Sequence, residues 1–63
     1  MTDTDIITKS YEELIRQDFN AYWNDAFIAK PTPNQLQQAE AKFRKGVTDA
    51  RQARDRAIAL LPP

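Results

Sequence analysis

The chain has 63 residues, with nine basic and nine acidic side chains, no cysteine and no histidine. This allows at most one small domain, without disulfides or soft metal ligands to brace it and with few of the groups that nucleophilic or general-base catalysis requires. A chain this short buries only about 60% of the surface its unfolded form exposes, so self-association or a partner is the brace that remains.

The first residues, MTDTD, are acidic and lead into no long apolar run, so no secretory signal is read there. Asp3 and Asp5 match the opening of a calcium loop, but the glycine and the closing glutamate are missing, and no metal or cofactor is expected. The first helix is predicted over about 4–29. Its start is read at Thr4 or, later, at Ser10, where Ser10 and Glu13 offer a capping box; the early start is preferred because Ile6 and Ile7 carry the apolar pattern toward the N-terminus. Lys30 precedes Pro31 and is pushed out of the helical region, which ends this helix near Ala29. A turn at 30–32 follows. Thr32 is the N-cap candidate for the second helix, Pro33 takes its first position, and Gln35 completes a capping box. This helix is predicted over about 33–61, stopped by Pro62 and Pro63.

Two long helices joined by so short a turn must lie antiparallel. The reading is one all-α domain over residues 1–63, a helical hairpin with arms roughly 40 Å long. The longest apolar run, AIALL, is far short of a membrane span, so a cytoplasmic protein with no membrane contact is expected.

The two apolar stripes differ in size. Leu36, Phe43, Ala50 and Ala57 recur every seven residues, with Ala39, Gly46, Ala53 and Leu60 as the companion row, a heptad pattern built from small side chains. Ile7, Tyr11, Leu14, Ile15, Phe19, Tyr22 and Ala26 form a bulky stripe on the first helix, and large against small is the interdigitation a hairpin seam wants. Gly46 falls level with residues 17–18 and is expected to make room for the Phe19 ring. Glu12 and Glu13 fall near Arg51, and Asp18 near Arg44 and Lys45, as candidate inter-helix ion pairs. They would use much of the charge asymmetry between an acidic first half and a basic second half.

Some apolar bulk is left over. At 100° per residue Trp23 and Phe27 lie on the margin of the first stripe, and Ile6 and Ile28 lie outside it on the other side. A narrow, alanine-rich helix cannot cover so wide an arc. Either Trp23 and Phe27 seal the turn over Leu36 and Pro33, or Phe19, Tyr22, Trp23, Phe27 and Ile28 form an interface. Asp18 and Arg54 both point toward apolar sides. Arg54 can lay its stem along the seam with its head in water, or either residue can pair across an interface and set its register.

A nucleic-acid face is the rival. Lys42, Lys45, Gln52 and Arg56 run along the outer side of the second helix, although Asp49 interrupts them. The overall form resembles that of Rop, a small plasmid RNA-binding protein in which two helical hairpins make a dimeric four-helix bundle and contact RNA through polar helix faces. The resemblance is one of architecture, and no residue is carried over from it. The preferred expectation is a non-enzymatic interaction module. Two hairpins would form a four-helix bundle, and the aromatic patch would engage a larger protein as a regulatory, inhibitory or assembly subunit. Such a form suits a small bacterial or viral modulator.

Overall fold

The computed structural model describes residues 1–62, so Pro63, expected to share in stopping the second helix, lies outside them. The described residues are helical with no strand: α1 spans Asp3–Trp23, a wider π-turn spans Asn24–Ile28, and α2 spans Pro33–Leu60. The two helices pack against each other along their length.

Each start is fixed by the same device. Thr2 accepts a hydrogen bond from the Asp5 N–H at 3.1 Å while the Thr2 N–H donates to the Asp5 carboxylate at 3.2 Å. Thr32 and Gln35 repeat the exchange at 3.3 and 3.0 Å, with Pro33 at the first helical position, where its missing N–H costs nothing. The acidic MTDTD stretch therefore serves as a cap. Ser10 is inside α1, its hydroxyl donating to the Ile6 carbonyl at 3.0 Å, which removes the later start. α2 is closed by Leu61, just past its last residue, whose extended backbone (φ −67°, ψ 137°) is what the residue before Pro62 prefers.

The first arm departs from a plain helix near its end. The Ala29 N–H reaches the Asn24 carbonyl at 2.9 Å, five residues back, so the last turn is wider than an α-turn. That brings residues five apart toward each other, and Phe27 meets Tyr22 edge-on at 6.0 Å. Lys30 leaves the helix as expected, but in the left-handed region (φ 50°) and not the extended one. A non-glycine residue there costs about 1–2 kcal/mol. It is held because the chain must reverse at once into Pro31 and the cap at Thr32.

The seam is thin. Only Ala26, Ala39 and Ala50 are buried among the described residues, while Ile7, Tyr11, Ile15, Tyr22, Leu36, Phe43, Val47 and Ile58 are half-buried. Small side chains on α2 let bulky ones on α1 lie close, as the unequal stripes imply. The hairpin is a flat slab whose Cα atoms extend 49 × 18 × 6 Å. No helix of the described residues is long and apolar enough to cross a membrane.

Gly46 does not accommodate Phe19. A Cβ at Gly46 would stand 2.8 Å from both carboxylate oxygens of Asp18. Asp18 is half-buried, and Phe19, one residue and 100° farther round, turns outward. The small residue is needed where expected, for a different neighbour.

Candidate functional site

The rings of Tyr22, Trp23, Phe27 and Phe43 are in contact with one another near the turn, while Tyr11 lies apart, against Arg54. Phe19, Trp23 and Phe27 recur every four residues, which keeps them in one row along the arm. The wide turn rotates Phe27 back into line, so its ring stacks on Trp23 with centroids 5.2 Å apart and planes 28° from parallel. Tyr22 bridges to the other arm, 5.2 Å from the Phe43 centroid at a tilt of 56°. The rings thus run without a break from Trp23 through Phe27 and Tyr22 to Phe43, each contact at a favourable aromatic distance.

This cluster is not a sealed lid over the turn. Phe19, Trp23, Phe27 and Ile28 remain 51, 48, 56 and 59% exposed, and Tyr22 alone of the five expected apolar residues is half-buried. The rings support one another yet leave about half their surface to water. Ile6 and Leu14 are also exposed.

The two faces of the slab differ. On the ring side Tyr22 shares a shallow groove with Phe43, Val47, Glu40, Arg44, Thr48 and Arg51. On the opposite side the groove is lined by Leu14, Asp18, Gly46, Asp49, Ala50 and Ala53. At 100° per residue Glu12 falls between Phe19 and Trp23, and so belongs to the ring side.

None of the expected inter-helix ion pairs forms among the described residues. Glu13 pairs with Arg16 at 3.2 Å, Lys45 with Asp49 at 2.7 Å and Arg54 with Asp55 at 3.0 Å, all within one helix. Levelness along the axis was not enough: these residues flank the seam and diverge from it, whereas for Arg16 and Lys45 a partner three or four residues away lies directly alongside. Asp18 makes no such pair because it points inward at Gly46. Arg54 is used within the hairpin, its guanidinium 4.4 Å above the centre of the Tyr11 ring, a cation–π contact across the seam. Periodicity placed Arg54 beside the seam; the ring it would cover followed only from the inter-helix register.

The four residues of the basic face, Lys42, Lys45, Gln52 and Arg56, are all exposed. Asp49 engages Lys45, and its hydrogen bond and charge raise the lysine pKa above 10.5. Lys42 borders a small cleft with Asp18 and Asp25. The face is therefore mixed in sign. Among the described residues, no cluster of three or more acidic side chains is arranged to hold a metal ion.

Compared with known proteins, the chain matches no family model, no curated protein and no solved structure.

Proposed function

We propose that the chain is an interaction module that acts by binding, with the row of Phe19, Trp23 and Phe27 as its anchor and Tyr22 beside it, while Asp18 lines the groove on the opposite side. The observation that carries this reading is the contrast in burial: among the described residues only three alanines are buried, while Phe19, Trp23 and Phe27 stand half open. Half-exposed Trp and Phe in a contiguous patch are the usual makings of an interface. Rings already packed on one another also lose little freedom when a partner covers them.

The module fits a regulatory, inhibitory or assembly subunit of a larger protein. The same face laid against a second hairpin gives a dimeric four-helix bundle. RNA binding through Lys42, Lys45, Gln52 and Arg56 has less support, because acidic neighbours offset that face.

Sedimentation equilibrium over a wide concentration range, on the native chain and on Trp23→Ala, tests the reading. Truncating the anchor is expected to weaken association at least tenfold with helicity unchanged, and added salt to alter it little. Steep weakening by salt, with no effect of Trp23→Ala, would transfer the function to the basic face.

A further inference from the structure

We infer that the aromatic face is covered by a second copy of this chain, packed with the turns of both hairpins at the same end; this rests on the interaction reading above. The first argument is area. The chain exposes 5159 Å², where a compact monomer of its mass would expose about 4,200 Å². The excess of about 1,000 Å² is close to the roughly 800 Å² that each partner gives up in a standard interface. A slab face of 49 by 18 Å spans about 900 Å², so one face laid on its equal removes an area of that order.

The second argument is how the face changes along its length. Two slabs placed face to face by a two-fold axis have two arrangements. If the axis runs along the helices, the turns coincide and α1 of one copy lies over α2 of the other at the same level. If it runs across them, the turns are at opposite ends and each helix lies over its own counterpart.

Apolar bulk on this face is concentrated toward the turn, in Tyr22, Trp23, Phe27, Phe43 and Val47, with Phe19 placed in the same row by its four-residue spacing. Glu40 and Arg44 border the ring half of the groove on this face, and the open half carries Glu12 and Arg51 on its rim without rings between them. With turns together, rings cover rings and the polar halves meet. With turns opposed, each ring cluster must cover the partner's charged half, where every buried charge needs a partner of its own.

The third argument is the sign of those charges. The level contacts of the seam pair Tyr11 with Arg54, Asp18 with Gly46 and Tyr22 with Phe43. By this register Glu12 lies within about one turn of the level of Arg51. In the arrangement with turns together, Glu12 of each copy therefore stands over Arg51 of the other, twice by symmetry. With turns opposed, the two-fold axis crosses α2 near its middle and brings Arg44 and Arg51 of the two copies to nearly the same level, like over like. Opposite charges across a rim select this kind of register, and like charges exclude its alternative.

The chain has no cysteine, so Asn34→Cys, exposed beside the turn, places a single spin label on each copy. Pulsed dipolar spectroscopy on the dimer is expected to give a distance below about half of the 49 Å hairpin length. A distance near the full length would overturn the arrangement. A monomeric mass at every concentration would overturn the second copy as occupant and leave the face to a foreign protein. The interaction reading fails separately, if Trp23→Ala leaves dimer dissociation unchanged. Glu12→Arg is expected to raise the dissociation constant about tenfold and Arg51→Glu in the same chain to restore it; a double variant as weak as the single one would overturn the pairing.

Discussion

Gly46 and Asp18 show how much one residue of phase decides. The periodicity located the close approach on α2 but assigned it to Phe19, because an apolar ring is the natural candidate for a seam. The helix is rotated so that the aspartate faces in and the ring faces out. A stripe with bulky residues on both margins does not fix its own centre to better than one residue, or 100°. Replacing a mid-helix glycine by alanine is ordinarily worth about 1 kcal/mol, but here the new methyl must displace the Asp18 carboxylate. Gly46→Ala is expected to gain less than that in the native chain and the full amount in an Asp18→Ala background, as measured by thermal unfolding of the four species. Lys30 offers a second test. Its left-handed backbone suits glycine, so Lys30→Gly is expected to stabilise the hairpin by about 0.5–1 kcal/mol after glycine's extra unfolded-state entropy is counted. At Lys45 the shift has a definite sign. A base whose pKa is raised on folding contributes its stability in full below the unfolded value and loses it only as the pH climbs through the folded one. The Lys45–Asp49 pair is thus insensitive to pH across the neutral range and dissolves above 10.5. Asp49→Asn is expected to bring the Lys45 titration, followed by NMR at the ammonium, back to its ordinary range.

At the scale of the helices, the cap of α2 was the most legible feature, whereas the Thr2–Asp5 cap of α1 was not read from the sequence. Thr32, Pro33 and Gln35 specify one boundary through three independent preferences, and the backbone obeys all of them. The two capping boxes are chemically alike but differ in what depends on them. Thr2 caps the helix end farthest from the chain reversal, so its loss is expected to fray one turn. Thr32 caps a helix whose first turn is tied to the chain reversal, and Thr32→Ala is expected to cost about 1 kcal/mol of global stability. Hydrogen exchange should show faster opening across the start of α2 in this variant, and at the start of α1 only in Thr2→Ala. The wide turn at Asn24–Ile28 was not legible. No residue type announces it; it goes together with a ring packing in which Phe27 meets Tyr22, five residues back, as well as Trp23. The inter-helix ion pairs were misjudged for a related reason. Axial level can be read from a turn position, whereas the lateral angle of a flanking side chain depends on a phase the sequence leaves open.

At the scale of the whole molecule, the antiparallel hairpin followed from breaker positions and turn length, while the distribution of its exposed bulk required coordinates. Trp23 is the sole tryptophan and sits at the centre of the ring row, so its fluorescence reports directly on whether that row is covered. Its emission is expected to shift to shorter wavelength as concentration rises, with a midpoint matching the dissociation constant from sedimentation. Phe27→Ala should move both midpoints together. The shortage of buried side chains also bears on how long each molecule survives. With three alanines the only buried side chains among the described residues, a solitary hairpin is expected to open readily and so to be open to proteolysis. Whatever covers the face protects the folded form by mass action, by about 2.7 kcal/mol at a hundredfold excess over the dissociation constant. Surplus copies would then be degraded first, and the amount of protein that persists would be set by the amount of surface available to cover it.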